Sequence, residues 1–404
     1  MKIALLLVLC VALPTVADEL ADRAARLHKS AIVVDTHVDT PSELKEKWVD
    51  LAKPGATKHV DLARLRAGNA GAIFFSIYES ADATAVAGGL KASLEELDLT
   101  DRTVAAHPEA LVAATSVADI RKARATGRIA ILKGLEGGNL FESSLGALRQ
   151  LHKLGVRYVT LTHTRTHDWA DSSGPFWMHD FDPKKSVVHH GLSPFGKEVV
   201  LEMNRLGIAV DLSHVSDETI TAALAISKAP VFASHSSCRN LTQMPRNLTD
   251  EQITAIGKGG GVVMINAGSA FIDNEGMKQL HAFQDEHRKE LEEITLKYAD
   301  DPAKRGAAIG KVYKTQKQYR TTLARYVDHL EHALKLAPGG VGLGTDFDGV
   351  DDPPIGLDDV SYYPKITEEL LRRGHSEEEI RGVLGENFLK FFQRVEEVAA
   401  KSAR

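Results

Sequence analysis

Imidazoles and carboxylates recur in this 404-residue chain at the ends of apolar runs. The first run is Val33-Val34-Asp35-Thr36-His37-Val38-Asp39, where two β-branched residues lead into a His and two further Asp. On a regular strand Asp35, His37 and Asp39 alternate and are expected to share one side. Later runs end in or near Glu136, His163, His214, His235 and Asp346. Imidazole nitrogens and carboxylate oxygens are the ligand set of zinc and similar divalent ions. Singly, each residue has an ordinary explanation. A chain with 17 His and 55 acidic residues produces His-x-Asp pairs by accident, and Asp346 in Asp-Phe-Asp-Gly is turn chemistry. Chance placement of all of them at strand ends is a much weaker explanation. Five ligands with carboxylates to spare exceed the needs of one tetrahedral ion and suit two ions bridged by a carboxylate.

The elements that must position these residues follow a rhythm. Apolar, β-branched or aromatic runs occupy 32–39, 71–78, 128–137, 157–163, 207–214, 230–236, 261–268 and 341–349. Near-continuous apolar runs are expected of strands buried on both faces of a parallel sheet. Between them lie helix signals. Ser193 and Pro194 open a segment that Gly207 closes, and Thr249 with Gln252 has capping-box spacing. Asp217 to Ala229 carries helical spacing as well. Strand and helix alternating about eight times predict an α/β fold of the (β/α)8 TIM-type barrel, whose strand C-termini converge on one mouth. A doubly wound open sheet would carry a Gly-rich turn after its first strand, where this chain has His37 and Asp39. A charged helical segment, about 275–336, interrupts the rhythm between strands seven and eight. It reads as a solvated helical hairpin, with a lid or a subunit contact as the alternative.

Other histidines fall outside the pattern. His179, His189 and His190 lie in an expected loop, and His329 and His332 on the helix before strand eight. The net charge of −6 argues against a nucleic-acid partner. Lys2, an apolar run from Ile3 to Leu13 and the small residue Ala17 describe a signal peptide over residues 1–17, too short to span a bilayer. Cleavage after Ala17 leaves Cys238 as the sole cysteine, read as a small buried thiol. The expectation is one domain over 18–404, secreted or periplasmic, without a stable membrane anchor and with a homodimer as an open option.

The motifs Leu-Lys-Gly-Leu-Glu-Gly-Gly (132–138), Leu-Thr-His-Thr-Arg-Thr-His-Asp-Trp-Ala-Asp-Ser-Ser (161–173), Gly-Ile-Ala-Val-Asp-Leu-Ser-His (207–214) and Gly-Leu-Gly-Thr-Asp-Phe-Asp-Gly (342–349) resemble the membrane (renal) dipeptidase family. These are zinc enzymes with an amidohydrolase-like barrel, and the resemblance covers nearly the whole mature chain. It implies His37, Asp39 and Glu136 as ligands of one zinc, with Glu136 bridging to a second zinc on His214 and His235. It further implies that His163 contacts the scissile carbonyl, Arg246 the substrate carboxylate, and that Asp346 is the acid/base. Phe271 stands where the family has a tyrosine near the substrate. Thr166, His167, Asp168 and Trp169 replace an Asn-Thr-Pro-Trp stretch of animal members, and the helical insertion is longer than theirs.

The implied activity is hydrolysis of dipeptides, including those with a C-terminal D-residue, by a hydroxide that two zinc ions generate at neutral pH. Arg246 offers a planar bidentate partner to a free carboxylate, which suits a dipeptide. Lactones, cyclic amides and phosphoesters are the rival substrates, because two metals and a hydroxide serve them equally. A metal-dependent binding protein is the rival of another class, and Asp346 and His163 exceed what metal holding alone requires.

Overall fold

The computed structural model describes residues 16–80, 83–84, 88–175, 178 and 181–402. Among the described residues nine strands form one parallel sheet: β1 (Val33–Val38), β2 (Ala70–Tyr78), β3 (Leu111–Ala113), β4 (Ile129–Glu136), β5 (Val156–Thr160), β6 (Ala209–Asp211), β7 (Phe232–Ala233), β8 (Val262–Ile265) and β9 (Val341–Leu343). Eight of them close a barrel in the order β1-β2-β4-β5-β6-β7-β8-β9, with β9 returning to β1. The longest ladder runs from Ala72 opposite Ala130 to Tyr78 opposite Glu136. All eight predicted runs are barrel strands. The short β3, which pairs only with the start of β4, had no signal of comparable length.

Alternation explains why the runs read as continuously apolar. Val34, Ala72, Phe74, Ala130, Leu132, Tyr158 and Phe232 share one cluster with Phe388, Phe391 and Phe392 of the C-terminal helix Asn387–Ser402. The interleaved Val33, Ile73, Phe75, Ile129 and Ile131 belong to a second cluster with the surrounding helices. Both faces are dry, so neither carries a polar stripe. The predicted helix signals act as expected. Ser193 Oγ accepts from Gly196 N–H, Gly207 closes that helix in the left-handed region, and Thr249 and Gln252 form a reciprocal capping box.

The segment between β8 and β9 departs from a hairpin. Three helices, Asn274–Glu286, Arg288–Lys297 and Pro302–Tyr313, make up the insertion. The fourth, Leu323–Leu336, buries Tyr326, Val327, Leu330 and Ala333 and belongs to the barrel wall. Its charged residues occupy the outer face, which made the whole segment look solvated.

Of the expected signal peptide, residues 1–15 lie outside the described residues, as does His179. Val16 and Ala17 begin the first helix, Val16–Ser30. Among the described residues no helix is long and apolar enough to cross a membrane.

Candidate active site

The mouth is built from strand ends and the residues just past them. His37 is on β1 and Glu136 is the last residue of β4. Asp39, His163, His214, His235 and Asp346 follow their strands by one to three residues. Two of these hold unusual backbone: φ is +68° at His214 and +63° at Asp346. Left-handed conformations at non-glycine residues cost about 1–3 kcal/mol each and cluster where geometry serves a site. Gly349 allows a close approach: a Cβ there would collide with Asp39 Oδ2 and Asp346 Oδ1.

The predicted alternation of Asp35, His37 and Asp39 does not hold. The β1–β2 register shifts between Asp35 and Val38. Asp35 turns to Thr345 Oγ1 (2.5 Å) and to Tyr363 Oη (2.6 Å) on the outer helix Tyr363–Arg372. His37 instead stacks on His235 with ring centroids 3.7 Å apart. An irregular register re-aims a side chain, and such irregularities are frequent beside active sites.

Glu136 lies at the centre. Its Oε2 is 3.5 Å from His37 Nε2, and its Oε1 is 3.0 Å from His214 Nε2 and 3.3 Å from His235 Nε2. His37 Nε2 is 3.4 Å from Asp39 Oδ2 and 4.0 Å from Asp346 Oδ1. Three groups therefore have candidate ligand atoms within 4.8 Å of one another: His37–Asp39–Glu136, Glu136–His214–His235 and His37–His235–Asp346. The donor set fits divalent cations. His37 Nε2 and Asp39 Oδ2 are buried without hydrogen-bond partners, a costly arrangement unless a cation joins them. His214 and His235 are held well below the ordinary imidazole range, by burial first and then by Arg246 at His214 and by His37 at His235. Neutral imidazoles whose Nε2 atoms stand 2.9 Å apart can serve a cation as lone-pair donors.

Outer residues orient two of these rings. Tyr158 Oη is 2.8 Å from His37 Nδ1. Ser234 Oγ donates to Asp211 Oδ2 at 2.6 Å and stands 2.7 Å from His235 Nδ1. With its proton given to Asp211, the Ser234 hydroxyl accepts from His235 Nδ1–H, leaving the Nε2 lone pair free.

His163 lies between the rings of Tyr78 and His214, at centroid distances of 4.5 and 4.2 Å, with Nε2 3.8 Å from Glu136 Oε1. Asp346 is pushed well above the usual carboxylate range by burial and then by the charge of Asp39, and its Oδ2 accepts from Asn266 Nδ2 at 2.7 Å. Arg246 is only 2% exposed. Its guanidinium donates to Ser236 Oγ (2.5 Å) and His235 O (2.7 Å), while Nε has no hydrogen-bond partner. Burial lowers its pKa to about 10, still charged at neutral pH. It lies 5.9 Å from the Phe271 ring centroid. A cavity of about 730 Å³ opens above this cluster, walled by Asp39, Glu136, His163, His214, Phe271 and Asp346 but not by Arg246 itself.

The structure thus gathers all seven predicted strand-end residues and sets Arg246 and Phe271 beside them. Sequence reasoning missed Asn266, a polar residue inside the 261–268 run that directly follows β8 in the structure. Tyr158, Asp211 and Ser234 gave no signal, since their roles are contacts between strands. His329 and Cys238 are structural: Cys238 N–H donates to His329 Nδ1 at 3.1 Å, away from the cluster. His167 and Trp169 pack together at 4.6 Å, with the indole fully buried.

A parallel barrel with imidazoles and carboxylates converging at its C-terminal mouth defines the class of metal-dependent barrel hydrolases. Residues 21–404 match the family described as membrane dipeptidase (Peptidase family M19), and the chain belongs to it, as a metallo-dipeptidase. It is 35% identical over 391 residues to Dipeptidase 3 of Rattus norvegicus, covering 95% of this chain and 69% of that protein. Dipeptidase verJ of Clonostachys rogersoniana is 33% identical over 402 residues, covering 95% and 89%. Among solved structures, the probable dipeptidase PvdM of Pseudomonas aeruginosa superposes with a TM-score of 0.80 at 24% identity, over 94% of this chain and 99% of that one. A metallo peptidase of Rhodobacter sphaeroides, solved with a phosphinate mimic of L-Ala-D-Ala, gives 0.72 at 23% identity, over 91% and 100%.

Proposed function

We propose that this chain hydrolyses dipeptides with two zinc ions, one held by His37, Asp39 and Glu136 and the other by Glu136, His214 and His235. The observation that carries this reading is the position of Glu136, whose two carboxylate oxygens face different imidazole groups. When bound, the ion pair supplies an acidified water and a Lewis acid for the scissile carbonyl.

The remaining work falls to residues of the chain. His163, fixed between two rings, meets the carbonyl oxygen as it becomes an oxyanion. Asp346, its proton affinity raised and its orientation set by Asn266, takes the proton from the attacking water and passes it to the leaving nitrogen. Arg246, with Phe271 packed against it, holds the substrate carboxylate and so restricts substrates to those with a free C-terminus nearby. Tolerance of a D-residue at that terminus is carried by the family resemblance. Residues 1–17 direct export and are removed, so that the mature protein begins at Asp18.

The test combines metal analysis with assays on free dipeptides, their amides, a lactone and a phosphotriester. The expected result is close to two zinc ions per chain and turnover confined to free dipeptides. Full activity in protein without metal, or preferred turnover of the lactone or phosphotriester, overturns the reading.

A further inference from the structure

The cavity above the cluster has two unlike walls. Its barrel side is polar. Opposite, the helix Pro302–Tyr313 presents Gly306, Ile309, Gly310 and Tyr313, spaced i, i+3, i+4 and i+7 and hence on one stripe. Met277 and Leu280 from Asn274–Glu286 extend this side, and Phe271 joins it to Arg246.

The two glycines have no packing reason to be there. A Cβ at Gly306 or Gly310 would meet no atom within 4 Å, and neither residue has a positive φ. Glycine is a poor helix former, so two of them in a 12-residue helix keep space open at a cost in helix stability. Asp39, Glu136, His163 and Asp346 line the same cavity, so the space the glycines keep adjoins the cluster. The wall is also anchored. Gln284 Nε2 donates to Tyr313 Oη at 2.9 Å, and Asp273 Oδ2 accepts from Tyr319 Oη and Thr321 Oγ1, each at 2.8 Å.

We propose that the insertion forms the subsite for a bulky apolar side chain on the substrate residue that carries the free carboxylate. The inference rests on the dipeptidase reading above. Phe271 assigns the position, because the ring that packs on the carboxylate-binding guanidinium also lines this wall. Glycine or alanine at that position leaves the apolar surface wet, whereas leucine, methionine or phenylalanine covers it.

The test uses the full chain with Gly306→Leu and Gly310→Leu, each of which improves helix propensity and so does not threaten folding. The panel is Ala-Gly, Ala-Ala, Ala-Leu and Ala-Phe, with Leu-Ala and Phe-Ala to vary the other position. The wild type is expected to favour Ala-Leu and Ala-Phe over Ala-Gly by roughly tenfold or more in kcat/KM. Gly310→Leu is expected to lower kcat/KM for Ala-Phe by about tenfold, mainly through KM, and to change Ala-Gly less than about twofold. A uniform loss, no loss in either variant, or a size effect confined to Leu-Ala and Phe-Ala overturns the subsite while leaving the dipeptidase reading intact. A wild type that cleaves no dipeptide overturns both.

Discussion

The hydroxyl of Tyr158 lies 2.8 Å from Nδ1 of His37, so a core residue of β5 fixes the ring of a candidate ligand on β1. The tyrosine ring occupies space that only a glycine opposite can provide, since a Cβ at Gly134 would overlap it. Tyr158→Phe keeps the packing and removes the hydroxyl. Loss of such an outer contact typically weakens metal binding by about 10–100-fold. Competition with a chelator, read as metal retained per chain, checks this, and unchanged retention would show that stacking on His235 alone orients His37.

Asp346→Asn is expected to keep its metal and lose roughly 10²–10⁴ in turnover, the scale of a lost acid/base group. Asn266→Ala removes the 2.7 Å hydrogen bond that aims Asp346 and is expected to give a smaller loss in kcat with similar metal content. Near-wild-type kcat in the Asp346 variant would move the role to another group, Asp348 first.

Arg246→Ala leaves a substrate carboxylate without its partner and is expected to cost about 2–4 kcal/mol in kcat/KM for free dipeptides. Amidated dipeptides, poor substrates from the start, should lose much less. Equal losses on both would place carboxylate recognition elsewhere.

Acid should destabilise the fold through His329. Burial, reinforced by Arg325, pushes this imidazole down to about 3. Its Nδ1 accepts from Cys238 N–H while Nε2 faces Ile272 O at 3.0 Å, an arrangement that requires the neutral ring. The unfolded chain binds a proton near the ordinary value of 6.5. The unfolded state therefore holds more protons, and the stability from this group is full above 6.5 and falls as pH drops towards about 3. Urea unfolding from pH 7 to 4 should show this decline. His329→Gln should be less stable at pH 7 but flatter across the range, and an unchanged slope would assign the decline to other groups.

Much of this protein is determined by its sequence alone, and the reason is local. Strands dry on both faces must be apolar throughout, so the eight runs are visible, and a parallel barrel brings their ends together. The candidate ligands are therefore legible from position and residue type without any knowledge of distance. Contacts made across the barrel are a different matter. Tyr158 reaches His37, Asn266 aims Asp346, and Ser234 links Asp211 to His235 across spans that no periodicity encodes. The register shift in β1 separates Asp35 from His37 although alternation would pair them, because Tyr363 and Thr345 offer the Asp35 carboxylate hydrogen bonds on the other side. The insertion shows the same division. Its charge and helicity are readable, but only the folded chain places the Gly306–Gly310 stripe on the cavity, because contacts between separate segments, Gln284 with Tyr313 and Tyr319 with Asp273, are invisible to local spacing.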